Sequence, residues 1–208
     1  MSRRLTGTSD DRKTDAVEEL LPWSALGGLF SGAVLLFSAF TYPGAVSWSA
    51  AAAAASPALH GGLAMATLSS LFFLFAVIEH FFRRGGGKAG FVAFAVSLTG
   101  LVLLFSLSAA ALLGIFGRSG ANPSLAFQSA LALSLTGSAI AAGFSTLGWT
   151  LDRAHAFTRV NCALLSTGGL LLGLGLAIFG PGLLARAGAA LLGTALCWMA
   201  VAIGQQYR

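Results

Sequence analysis

GFVAFAVSLTGLVLLFSLSAAALLGIFG, residues 90–117, runs for 28 residues without one charged side chain. A helix crosses the hydrocarbon core of a bilayer in about 20 consecutive apolar residues, with a range of about 17 to 25. The stretch exceeds that length, which permits tilt without fixing an angle. Lys88 stands just before it and Arg118 just after it, so its limits are marked by charge on both sides.

Five more runs of similar character flank it, at 23–41, 59–82, 126–150, 161–179 and 183–204. The composition agrees: 56% of the 208 residues are hydrophobic and 9% are charged, against roughly 25% charged in an ordinary soluble domain. Twelve Lys/Arg and seven Asp/Glu are too few to clothe a water-soluble surface of this size. Strands with open edges are excluded in hydrocarbon, where unpaired backbone groups are too costly. The expected fold is therefore all-α, a polytopic membrane bundle of six transmembrane helices.

Charge orients it. Arg3, Arg4, Arg12 and Lys13 precede the first run; Arg83, Arg84 and Lys88 fill the second gap; Arg153 and Arg159 fill the fourth; Arg208 ends the chain. The opposite side holds only Arg118 and Arg186. Cytoplasmic loops carry the excess of Lys and Arg, so both termini are expected in the cytoplasm. Trp23, Trp149 and Tyr207 then sit near the inner boundary, and Tyr42 and Trp48 near the outer one. The pI near 10.0 points to topology rather than to a nucleic-acid partner, because the charge is spread over termini and short turns.

Three regions follow: a cytoplasmic segment 1–22, the transmembrane domain 23–204 and a cytoplasmic tail 205–208. Residues 1–14 have a disorder-prone composition, and Asp15 to Leu21 reads as a short interfacial helix. The small residues at 49–56 resemble a signal-peptidase site, yet the run before them is longer than an h-region of about 7 to 15 residues. An uncleaved first helix is the expectation. The gaps are short, so any activity belongs to the bilayer or its two faces.

Helix contacts are written in small residues: Gly28–Gly32 and Gly169–Gly173 are GxxxG pairs, and Gly137–Ala141 and Ala189–Gly193 are small-xxx-small. Such spacing lets helix backbones approach closely. It serves packing within the chain, or the joining of a second copy or another membrane subunit.

Few residues carry chemistry. Glu79 is the only carboxylate inside an apolar run, and His80 follows it. An ionisable group inside a membrane marks a functional site by default. Glu79 also has Arg83 at i+4, in the order that favours an ion pair, and His80 stands in the same relation to Arg84. An interfacial ion pair is thus the plainer reading. His60 and His80 raise haem or a chlorin as cofactor. Being 20 residues apart, they lie about 30 Å apart and about 200° around the helix. The third histidine, His155, is in a loop, which disfavours a two-haem arrangement.

Cys162 and Cys197 form no CxxC and read as free small hydrophobes. Gly85-Gly86-Gly87-Lys88 lacks the hydroxyl residue of a phosphate loop and reads as a basic turn. Ser145 and Ser166 have no intramembrane histidine to activate them. Asn122-Pro123 is a loop turn, and Ser97, Thr99, Ser134 and Thr136 are expected to bond between helices. No run is visibly broken near its middle, where transporters place substrate.

Ser97-Leu98-Thr99-Gly100 recurs as Ser134-Leu135-Thr136-Gly137, and three hairpins each place a proline in the outer turn: Pro43-Gly44, Asn122-Pro123 and Pro181-Gly182. With Trp23, Gly28 and Gly32 opening the first unit and Gly169 and Gly173 in the third, this plan resembles the HdeD-type acid-resistance membrane proteins. The second unit departs from it, having no opening tryptophan. The resemblance implies a three-hairpin fold in a bacterial inner membrane and a non-enzymatic, stress-related envelope role. The expected function is a non-enzymatic membrane protein of that kind, or an accessory subunit of a membrane complex. The alternatives are a small transporter or channel using Glu79 and His80, and a redox or light-harvesting subunit holding a pigment at His60 or His80.

Overall fold

The computed structural model of the chain describes residues 9–41, 57–113, 123–179 and 182–206. Outside them lie Tyr42, Pro43, Trp48, Arg118, Asn122, Pro181, Tyr207 and Arg208, with the readings attached to them. Six helices make up the described chain: α1 (Ser9–Thr41), α2 (Pro57–Arg83), α3 (Lys88–Leu112), α4 (Pro123–Arg153), α5 (Arg159–Leu174, continued by a wider π-type turn over Gly175–Phe179) and α6 (Leu183–Gln206). All six are long and apolar enough to cross a membrane.

The helices outrun the hydropathy that announces them. The first begins at Ser9, so Asp15 to Leu21 continues into the span rather than forming a separate helix, and residues 9–14 are helical. Pro22, inside it, stands where the apolar span Pro22–Phe40 opens. Pro57 and Pro123 take the first helical position of α2 and α4. There a missing N–H costs nothing, because no intrahelical partner exists for it. Pro123 thus starts a helix rather than sitting in a loop. The third helix ends at Leu112, short of the expected 117, with residues 114–117 outside the described chain. The π turn of α5 lies near its C-terminal end, where Gly175 packs against Ala185 of α6.

Each helix packs on the next in sequence, and α1 packs on α6, which closes the order into a ring. By contrast, α2 and α6 meet only marginally. The centre of the ring is filled by large side chains, among them Phe73, Ile140, Phe144, Leu192 and Leu196, none more than 1% exposed. Apolar residues also face outward, including Trp23, Phe30, Phe37 and Phe40 on α1 and Phe72 and Phe75 on α2. That inside-and-outside apolarity suits a lipid surrounding rather than water.

Close seams hold the ring. Gly32 and Gly193 face each other across α1 and α6. A Cβ on Gly32 would stand 2.6 Å from the Gly193 carbonyl oxygen, and one on Gly193 would stand 2.7 Å from the Gly32 carbonyl oxygen. Gly137 and Gly173 meet in the same reciprocal way across α4 and α5. Gly28 and Gly32 therefore serve two different neighbours, since Gly28 lies against the ring of Phe73 on α2. These small-residue faces are turned to other helices of the same chain.

Candidate functional site

Two ends of the bundle differ in chemistry. The charged end carries the turns α2–α3 and α4–α5 and the C-terminus of α6; the far end carries the C-terminus of α1 and the start of α6.

At the charged end, α2 stops in a double-bonded cap: Gly86 N–H donates to Phe81 O at 3.0 Å and Gly85 N–H to Phe82 O at 3.0 Å, with Gly85 at φ 80°. This is the Schellman arrangement, which needs a left-handed residue. The basic turn read at Gly85-Gly86-Gly87 is thus a helix stop. The same cap ends α4, where Ala156 N–H donates to Leu151 O at 3.1 Å and His155 N–H to Asp152 O at 3.0 Å. Here the left-handed position is held by His155, at φ 50°, where glycine would be expected.

Glu79 and Arg83 form the anticipated ion pair, Arg83 Nε donating to Glu79 Oε1 at 3.0 Å, with the two side chains 42% and 38% exposed. Glu79 therefore lies on the outer surface of the bundle. His80, one residue on, points the other way. It is 4% exposed, and its Nε2–H donates to the backbone oxygen of Ala156 at 3.1 Å. The carbonyl can only accept, so this bond fixes the proton on Nε2. The Phe157 ring lies 5.1 Å from the imidazole, centroid to centroid. The expected relation of His80 to Arg84 is replaced by a tie between the two charged-end turns. A histidine's i+4 spacing does not decide its direction when an orphan carbonyl lies on the buried side.

His60 is fully buried near the opposite end of α2, so the structure does not bring it together with His80. Cys162 is buried, and Cys197 Sγ lies 3.7 Å from Leu29 O across the α1–α6 seam; both are free thiols. Among the described residues no three His, Cys, Asp or Glu side chains gather as a metal ion would need.

The hydroxyls overturn one expectation. Ser97 donates to Ala93 O at 2.9 Å, Thr99 to Ala95 O at 2.9 Å and Thr136 to Ala132 O at 2.7 Å, each within its own helix. An i−4 carbonyl is always within reach, whereas a partner on a neighbouring helix depends on rotation. Ser145 and Ser166 do reach across: Ser166 Oγ donates to Ser145 O at 3.1 Å and Ser145 Oγ to Ser166 O at 3.4 Å, joining α4 and α5.

At the far end, Arg186 of α6 reaches the C-terminus of α1. Its Nε donates to Ala39 O at 2.7 Å and its Nη2 to Phe40 O at 3.4 Å. The last carbonyls of a helix have no partner of their own, and a cation there also meets the negative end of the helix dipole. Arg186, one of the two charges on the minority side, is therefore a cap. Sequence reasoning missed this role because nothing in a charge count says which helix end a side chain will meet.

Among the described residues, the ring holds a half-open cavity near one end and a small enclosed one near its middle. One of about 70 Å³ sits beneath Arg186, walled mainly by Leu35, Leu63, Leu104, Leu172 and Leu176. A second of about 10 Å³ near mid-bundle is lined from all six helices, with Thr67 and Ser70 as its polar members. Thr67 turns its hydroxyl to Leu63 O and Ala64 O of its own helix. Comparison with protein-family models, curated proteins and solved structures finds no match to this chain.

Proposed function

We propose that the chain is an integral membrane protein with both termini cytoplasmic, and that it is non-enzymatic: an accessory subunit of a membrane complex or an envelope protein. The observation that carries the reading is the apolar axis of the ring. The cavities beneath Arg186 and near mid-bundle are small and walled mainly by Leu, Ile, Phe and Ala, with Ser38 and Arg186 on the first and Thr67 and Ser70 on the second. The buried hydroxyls Ser97 and Thr136 donate to carbonyls one turn back in their own helices. A path for ions or protons needs polar groups that converge on it. Glu79, the one carboxylate of the spans weighed for that role, faces outward and is paired. The resemblance to HdeD-type proteins supports the envelope, stress-related form of this role in a bacterial inner membrane.

The test is purification in mild detergent with identification of whatever accompanies the chain, followed by proton-flux assays in liposomes. Stoichiometric membrane partners and flux equal to empty liposomes support the proposal. A flux abolished by Glu79→Gln would overturn it in favour of a transporter. A Soret or chlorin band in the visible spectrum would overturn it in favour of a pigment-binding subunit at His60 or His80.

A further inference from the structure

Between the start of α5 and the end of α6, at the charged end, lies a recess of about 320 Å³, within the range of ligand pockets, roughly 300 to 1,000 Å³. Phe157, Thr158 and Asn161 wall one side; Trp198, Ala202 and Gln206 wall the other. The last three are four residues apart on one face of α6. None of the residues weighed for proton, metal or pigment chemistry, apart from the loop His155, lines it.

Asn161 sets its chemistry. Its backbone N–H is used by the Thr158 cap at 3.4 Å. Its side chain lines the recess and is only 1% exposed, yet Oδ1 has no hydrogen-bond partner. Buried acceptors are nearly always satisfied, because leaving one unmade forfeits its hydration without return. The recess therefore asks for a donor. Its depth says where that donor comes from. The spans of α5 and α6 run over Arg159–Ile178 and Leu183–Gln206, so the recess straddles their ends, from His155–Thr158 just before the first and Asn161 just inside it to Trp198, Ala202 and the last residue, Gln206, of the second. That is the level of the boundary between hydrocarbon and water.

The flanks fit the same molecule. Trp198, on the wall of the recess, is 46% exposed and gives it an apolar outer rim open to lipid. Arg159, next to the recess, leaves its side chain 85% exposed and comes no closer than 3.9 Å to Asp152. We propose that this recess binds a phospholipid whose headgroup carries a hydrogen-bond donor. The donor, a glycerol hydroxyl or an ethanolamine ammonium, satisfies Asn161 Oδ1. The phosphate lies toward Arg159, and the acyl chains run along Trp198 and Val201.

The test uses the full chain in mixed-lipid nanodiscs, with native mass spectrometry of the lipid retained on mild release. Phosphatidylglycerol, phosphatidylethanolamine and phosphatidylcholine of identical acyl chains compete in equal amounts; the choline headgroup has no donor. Retention of phosphatidylglycerol or phosphatidylethanolamine about tenfold over phosphatidylcholine is expected for one buried, charge-assisted or hydroxyl bond. Preference for the first names the hydroxyl as the donor, and for the second the ammonium. Equal retention of all three overturns the proposal. Asn161→Leu removes the acceptor and should abolish the preference without lowering the melting temperature; preference kept in that variant also overturns it. Ala202→Phe, which fills the recess from α6, is the independent check. Retention in it equal to the parent chain refutes the site even if Asn161→Leu fails to fold.

Discussion

His155 holds a backbone conformation that costs an L-residue roughly 1 to 2 kcal/mol. The equivalent cap on α2 spends nothing of the sort, since Gly85 occupies it. Replacing His155 by Gly should therefore raise stability by about 1 kcal/mol, partly offset by the added freedom of the unfolded chain. Thermal unfolding in detergent would read this as a higher melting temperature, and a lower one would show that the imidazole makes a contact worth more than the strain. Glu79 tests the opposite case. An i,i+4 pair on an exposed helix face contributes about 0.3 to 0.5 kcal/mol. Glu79→Gln is expected to cost no more than that, with expression unchanged; a collapse of expression would show that the carboxylate has a partner beyond Arg83. Both residues were conspicuous in the sequence, and Glu79–Arg83 was readable because both partners lie on one helix at fixed spacing. The direction of His80 was not, because it is set by the carbonyl of Ala156, in a turn whose fold depends on how α4 stops.

At the level of elements, the spans were legible and their ends were not. Hydropathy records which residues tolerate lipid, while a helix continues as long as its backbone bonds do. Hence α2 and α4 reach Arg83 and Arg153, beyond the apolar runs that announced them. Pairing of neighbours followed from short turns, but the seam between α1 and α6 joins residues far apart in the chain. Gly32 was visible as half of a GxxxG pair; its partner Gly193 was visible in the small-xxx-small pair Ala189–Gly193, and nothing in either motif linked the two. Arg186 closes the same seam at the far end. Arg186→Met keeps the length of the side chain and removes its donors, leaving Ala39 and Phe40 oxygens short of a partner. A loss of about 2 to 3 kcal/mol is expected for a charge-assisted bond in a poorly hydrated place, measured by denaturant titration in micelles. Unchanged stability would mean that water replaces the guanidinium there.

For the whole molecule, the ring order fixes the two ends together. The His80–Ala156 bond sets the α2–α3 and α4–α5 turns side by side, and the Arg186–Ala39 bond does the same for α1 and α6 opposite. Every basic residue of the two charged-end turns thus falls at one end, as the charge count required. A reporter enzyme fused after Arg208 should be active in the cytoplasm and silent outside it. An external readout would refute the orientation with both termini cytoplasmic. A second fusion, in the gap after α3 near Arg118, should give the reverse.

The closure of the ring also bears on synthesis. Chains are made from the N-terminus, at roughly 5 to 20 residues per second. The carbonyls at the C-terminal end of α1 leave the ribosome long before Arg186 does, with 145 intervening residues between Phe40 and that arginine. Through that interval α1 has neither its cap nor its glycine seam. A helix made early is thus finished late, and a nascent chain cut short before α6 leaves the α6-facing side of α1 uncovered.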